Sequence, residues 1–136
     1  WAVSEIKDIS IGVDVIAGFP GEGPGEFEST MALLRDLPVS YMHVFPFSPR
    51  RGTPASEMDG RVGGAEVRRR CARLRELDRE KREAFYGRFV GAAMEVLIET
   101  RENGDGAAGS ARGRTSNYIP VRFTAAGAPG SAAAPG

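Results

Sequence analysis

The chain has 136 residues, 41% of them hydrophobic, and its 18 Lys/Arg are balanced by 18 Asp/Glu. This suits one ordinary domain or two small ones and excludes a wholly disordered chain. The single cysteine, Cys71, excludes an internal disulfide and any zinc or iron–sulfur site held by several thiolates of this chain.

No apolar run approaches the roughly 20 residues that span a bilayer. The opening WAVSEIKDIS lacks the basic-then-apolar order of a signal peptide, so a cytoplasmic setting without membrane association is expected. It also lacks an initiator Met, and the chain reads as a piece of a longer one. The neutral total hides a split. Residues 1–60 carry four Lys/Arg and nine Asp/Glu, residues 61–90 carry ten and five, and residues 91–136 carry four of each. A basic segment suits a polyanionic partner, although a helix face laced with ion pairs explains it more simply.

ISIGVDVIAGF (Ile9 to Phe19) is almost continuously apolar and β-branched. It reads as a parallel strand buried on both faces. Pro24 suits the first position of a helix, and Glu26 and Glu28 suit its first turn. Phe27, Met31, Leu34 and Leu37 recur at helical spacing, and Pro38 ends the helix. YMHVFPF (Tyr41 to Phe47) reads as a second strand. Strand, helix and strand form a βαβ unit of an α/β fold, whose further strands are expected before Trp1 or from another chain. Ser48 to Gly64 is turn-rich. The next segment is a long helix whose apolar stripe runs through Val67, Cys71, Leu74, Leu77, Ala84 and Phe85. After Gly91 the period becomes two. Met94 to Glu99 and Thr115 to Phe123 read as strands, Pro120 as an edge or bulge, and NGDGAAGSARG between them as turns. From Thr124 the Ala/Gly/Pro/Ser composition predicts disorder.

The loop after the first strand, GFPGEGPG (Gly18 to Gly25), invites a phosphate reading. Neither G-x-G-x-x-G nor G-x-x-x-x-G-K-[ST] is present. Pro20 and Pro24 also remove two N–H donors that a phosphate cradle would use. A tight strand-to-helix turn needing glycine freedom is the better reading. Asp14 is a carboxylate within an apolar strand and needs a partner or solvent. His43, the only histidine, reads as a hydrogen-bonded core residue, and Cys71 as a buried structural thiol.

Three blocks carry a family resemblance. DVIAGFPGE resembles the Ile-x-Gly-x-x-Gly-Glu strand end of radical S-adenosylmethionine (SAM) enzymes. HVFPFSPRRGTPA resembles the following strand and loop of the methylthiotransferases. GAAMEVLIE with TSNYIPV resembles the start of the small RNA-binding TRAM β-barrel that ends those enzymes. The blocks lie in family order over residues 9–123. The wording HVFPFSPR is most similar to the branch that methylthiolates threonylcarbamoyladenosine beside the tRNA anticodon.

The resemblance implies the C-terminal part of a radical SAM partial barrel of the TIM type over 1–63 and a linking helix over 64–90. A partial TRAM-like domain over 91–123 and a disordered tail over 124–136 complete the layout. It implies SAM and tRNA as partners, two 4Fe-4S clusters in the intact enzyme and an electron donor of unspecified identity. The C-x-x-x-C-x-x-C motif is absent, so the chain by itself is expected to be inactive. Gly18 and Gly21 would let backbone approach SAM, and Ile16 and Phe19 would pack on its adenine. Asp14 and Glu22 would contact the cofactor or fix the turn, and Arg50 would reach its carboxylate or an RNA phosphate. Arg112, Arg114, Asn117, Tyr118 and Arg122 would contact RNA. The rivals are a non-catalytic RNA-binding module, and a relative acting on isopentenyladenosine in tRNA or on a ribosomal protein.

Overall fold

The computed structural model describes residues 2–102 and 108–126. The chain divides into two compact units, Trp1–Val90 and Gly91–Gly136. Among the described residues no helix is long and apolar enough to cross a membrane. The whole is a mixed α/β structure.

In the first unit a short helix α1 (Ala2–Glu5) precedes β1 (Gly12–Ala17), α2 (Pro24–Asp36), β2 (Tyr41–Pro46), α3 (Pro54–Glu57) and α4 (Gly64–Gly87). β1 and β2 pair in parallel, with Asp14 opposite His43 and Ile16 opposite Phe45. α2 starts on Pro24, whose missing N–H costs nothing there, and stops before Pro38, which forces Leu37 out of the helical region.

The core is one layer. Val15, Ala17 and Met42 of the sheet meet Phe27, Met31 and Leu34 of α2 and Cys71, Leu74 and Leu77 of α4. The opposite face of the sheet is not covered: Asp14, Ile16, His43 and Phe45 are exposed. The expectation of strands buried on both faces is therefore corrected for this chain. Alternation explains the carboxylate, since Asp14 falls on the open face. It also moves His43 out of the core.

α4 covers an edge of the sheet as well as a face. The Met42 N–H donates to Asp78 Oδ1 at 2.6 Å, and Arg82 both grips Asp78 at 2.9 Å and reaches the Met42 carbonyl at 3.4 Å. These side chains stand where a neighbouring strand would bond, so the outer edge of β2 is closed. Lys81 caps α2 by donating to the Arg35 and Leu37 carbonyls at 2.6 and 2.7 Å.

The loop between β1 and α2 is a lock. Pro20 and Gly21 (φ 83°) sit at the centre of a turn closed by the Glu22 N–H donating to the Phe19 carbonyl at 2.9 Å. This is the proline-glycine arrangement of a type II turn. The Glu22 carboxylate accepts the Gly18 N–H at 2.6 Å and Arg70 at 2.7 Å. Arg70 is only 3% exposed. It also donates to the Glu22 carbonyl at 2.7 Å and to Glu66 at 2.9 Å. Burial pulls its guanidinium toward the neutral form, but hydrogen bonds and charge from Glu66 and Glu22 outweigh that and hold it above its ordinary value.

The second unit is a three-stranded antiparallel sheet in the order β3 (Val96–Glu102), β4 (Ala108–Thr115), β5 (Pro120–Ala126). β4 fills much of the segment whose glycines read as turns, whereas Ser116 to Ile119, read as strand, form the hairpin turn. The Thr115 hydroxyl donates to Asn117 Oδ1 at 2.5 Å and accepts the Ile119 N–H at 3.0 Å, which bends the chain there. Pro120 begins the edge strand β5, where its missing donor is harmless. β5 continues through Ala126, into the segment expected to be disordered; residues 127–136 lie outside the described residues.

Arg70→Ala leaves the 13%-exposed Glu22 carboxylate without its cation and should cost about 3–5 kcal/mol in urea unfolding. A loss below about 1 kcal/mol would make the lock no better than a surface pair. Hydrogen bonds from Arg69 and Arg70 lower Glu66 from 4.5 to about 2. A lowered carboxylate stabilises the fold above its unfolded value and loses that effect as pH falls through its folded one. The gap in melting temperature between wild type and Glu66→Gln should thus be constant above pH 4.5 and close toward about pH 2. A gap unchanged across that window would refute the pairing.

Candidate functional site

At the carboxyl ends of β1 and β2 lies a cavity of about 350 Å³. Its apolar wall is Pro46, Phe47, Pro49, Val62 and Val67, with Arg61 and Arg68 beside it. Gly18 forms its floor on the β1 side. A side chain is not tolerated at Gly18: φ is 80°, and a Cβ would come within 2.5 Å of Val67 Cγ2. The glycine therefore answers first to the approach of α4.

None of the other expected cofactor residues is among those that line this cavity. Phe19 packs edge-on against Phe47, with ring centroids 5.2 Å apart, and so backs the wall. Gly21 donates its N–H to the Gly60 carbonyl at 2.9 Å, tying the loop to the segment that carries Arg61 and Val62. Glu22 holds Gly18 and faces Arg70. Asp14 and Ile16 lie on the open face of the sheet, Ile16 54% exposed. The Arg50 carbonyl accepts the Thr53 N–H and hydroxyl at 3.1 and 2.7 Å, starting the turn before α3, while its side chain is exposed. Donors of the loop are thus engaged internally at Gly18, Gly21 and Glu22, which removes the phosphate-cradle reading on geometry.

Sequence reasoning missed Phe47, Val62, Val67 and Arg68. Val67 was assigned to the core stripe of α4, and it does pack against the core, but its other contact is the cavity. The Gly63-Gly64 pair at the start of α4 was the available signal, since small residues at a helix start leave room for a ligand.

Cys71 is 3% exposed within the core of the first unit. Among the described residues no three His, Cys, Asp or Glu side chains converge as a metal site. With Cys71 as the single thiol, and that thiol in the core, the residues do not fit the several thiolates an iron–sulfur cluster takes.

The basic helix is largely committed within the chain. Arg69, Arg70, Arg73, Arg79, Arg82 and Arg88 all have carboxylate partners. The ion-pair reading of this segment is the one its geometry favours.

In the second unit Arg112 and Arg122 are direct cross-strand partners, and Arg114 lies opposite Pro120. All three are exposed. They share one face of the sheet, since Arg112 and Arg114 are two apart on one strand and Arg122 pairs with the first. Arg114 is bound to Glu99 at 3.0 Å. Tyr118 is 69% exposed beside them. Asn117 is set apart from this group: it is 9% exposed, and its amide oxygen serves the hairpin turn.

No family model matches the chain. It is 38% identical over 113 residues to the threonylcarbamoyladenosine tRNA methylthiotransferase of Aquifex aeolicus, covering 83% of this chain and 25% of that protein. It is also 38% identical over 101 residues to the tRNA-2-methylthio-N(6)-dimethylallyladenosine synthase of the same organism, covering 74% of this chain and 23% of that protein. The chain thus spans about a quarter of the length of these relatives. By this similarity it belongs, as a C-terminal part, to the radical SAM methylthiotransferase family.

Proposed function

We propose that the intact protein is a tRNA methylthiotransferase that adds a methylthio group to carbon 2 of threonylcarbamoyladenosine beside the anticodon, and that this chain supplies part of its cofactor wall and an RNA-facing sheet. The observation that carries the first part is the locked loop. Glu22 and Arg70 fix Gly18 at the floor of a cavity of ligand size at the strand ends, where barrel sites form. Asp78 and Arg82 occupy the outward backbone groups of Met42 on β2, and among the described residues no strand pairs with the other edge of β1. Both features support the end of a partial barrel. The threonylcarbamoyladenosine branch is favoured by HVFPFSPR and by the longer match to the enzyme named for that nucleoside.

SAM, when bound, supplies radical chemistry and the transferred methyl group. The chain's residues fit its less reactive parts. Phe47, Val62 and Val67 offer an apolar wall to an adenine, and Arg68 a cation for a carboxylate. The same wall keeps water from the ligand.

For the RNA part, Arg112 and Arg122 supply phosphate contacts, Arg114 adds a cation on the same face and Tyr118 a stacking ring. A TRAM-like role for the second unit rests on that face. A non-catalytic RNA-binding module would need only this face and none of the cavity.

Nucleoside analysis of tRNA from a deletion strain tests the reaction. The 2-methylthio form of threonylcarbamoyladenosine should vanish while that of the isopentenyl nucleoside persists. The reverse pattern would reassign the branch, and no change in either would leave the RNA-binding or ribosomal-protein reading.

Val62→Trp in the intact enzyme tests the cavity. Val62 is half-buried in a loop, so an indole there should fill the cavity with the fold retained. SAM binding should weaken roughly tenfold or more, about 1.4 kcal/mol. Unchanged affinity in a folded variant would remove the cavity from the cofactor site.

Arg112→Ala combined with Arg122→Ala should weaken tRNA binding for all sequences alike. The salt dependence should become shallower by roughly one unit per lost phosphate contact. Coincident titrations of wild type and double variant at several salt concentrations would exclude these arginines from RNA binding.

A further inference from the structure

The hairpin between β4 and β5 holds a residue that turn chemistry does not call for. Tyr118 has φ 65°, in the left-handed region that suits glycine and asparagine and strains a bulky side chain. The turn fixes it there. The Tyr118 N–H donates to the Thr115 carbonyl at 2.9 Å, and the Thr115 N–H to the Ile119 carbonyl at 3.0 Å. The strain gains no burial, since the residue remains 69% exposed.

Tyr118 instead borders a cavity of about 320 Å³ together with Glu95, Leu97, Glu99, Arg114 and Ser116. Glu99 is at the bulge where the β3–β4 register slips between Ile98 and Thr100. Its carboxylate takes Arg114 Nε at 3.0 Å, which orients the guanidinium and leaves its terminal nitrogens to donate elsewhere. The groove thus has a ring, the exposed Leu97 side chain, a carboxylate at Glu95 and an oriented guanidinium.

We propose that this cavity takes one unstacked guanine of a single-stranded RNA segment; the proposal rests on the RNA-facing reading of this sheet. An aromatic ring and an apolar side chain beside it suit any base. The polar groups select. A carboxylate needs donors, and guanine carries N1–H and N2–H₂ side by side, matching the two oxygens of Glu95. Its O6 and N7 accept from a guanidinium. Uracil sets two carbonyls beside its single N–H, and these repel a carboxylate. Adenine and cytosine pair one amino group with a ring acceptor, so each satisfies one carboxylate oxygen and opposes the other.

The test uses the whole 136-residue chain and labelled pentamers of uridine whose central base is G, A, C or U, followed by fluorescence anisotropy at several salt concentrations. The G pentamer should bind roughly tenfold tighter than the others, within the range of one bidentate base contact. Glu95→Gln should abolish that preference, weakening the G pentamer without weakening the U pentamer. Tyr118→Gly should weaken all four while raising the melting temperature, because glycine relieves the left-handed strain. Salt-dependent binding with equal affinity for all four pentamers would overturn the guanine site and leave RNA binding by the arginine face intact. Binding of no pentamer would overturn both. A drop in melting temperature for Tyr118→Gly would make the tyrosine a structural residue and also refute the site.

Discussion

The first unit turns on the buried guanidinium of Arg70. The loop it holds contains four glycines and two prolines between Gly18 and Gly25. Such a loop has almost no side chain to pack, and its glycines carry the largest backbone entropy to be fixed. Apolar contact cannot hold it, so a polar anchor must. Glu22 is the loop side chain with the reach to do this, and Arg70 is its counter-charge. A buried ion pair is no guarantee of net stability, because both ions lose water. What it supplies is position. One carboxylate oxygen, Oε2, holds both the Gly18 N–H and Arg70, so the floor of the cavity and the first turns of α4 cannot move independently.

α4 shows how one helix can serve three surfaces. Cys71, Leu74 and Leu77 give it a face for the core. Asp78 and Arg82, one turn on, close the edge of β2, and Lys81 caps α2. The charges that make this helix basic are mostly held by partners of the same chain. Local composition counted them as a candidate polyanion surface; geometry accounts for them as internal struts. The cations of the second unit's arginine face do not sit on a helix, and their grouping follows only from strand register.

The elements of the first unit were legible because each has a strong period. α2 and α4 carry apolar stripes, and Pro24 and Pro38 bound α2. Coverage is what the apolar run does not reveal: a continuous apolar strand suggests burial on both faces, whereas alternation places Asp14 and Ile16 outward. The second unit was less legible for a physical reason. β4 is made largely of small residues, which have little strand propensity of their own. Gly113 stands where a Cβ would strike the Leu97 carbonyl, so the close approach of β3 selects a residue that local reading assigns to a turn. Conversely, Thr115, Tyr118 and Ile119 have strand propensity, but the Thr115 hydroxyl captures the Ile119 N–H and folds the chain back. Side-chain to backbone bonds of this kind override propensity, and sequence spacing alone does not reveal them.

Of the candidate site, the sequence identified the loop and the arginines but not the cavity walls, because a wall is a property of two segments brought together. Phe47 and Val67 are 20 positions apart and meet only in the folded unit. The residues with positive φ separate the demands of fold and function further. Gly18, Gly21 and Gly60 take left-handed positions with the residue type that meets them at least strain, and Asp8 is of a type that tolerates them. These positions are explained by chain geometry alone. Tyr118 takes the same conformation with a bulky ring and leaves that ring in solvent. A turn selected for stability would carry glycine or asparagine there. The strain is therefore informative in a way that the glycines are not: no burial or turn requirement accounts for it, and it sets a ring at the rim of the groove that Arg114 and Glu95 also line.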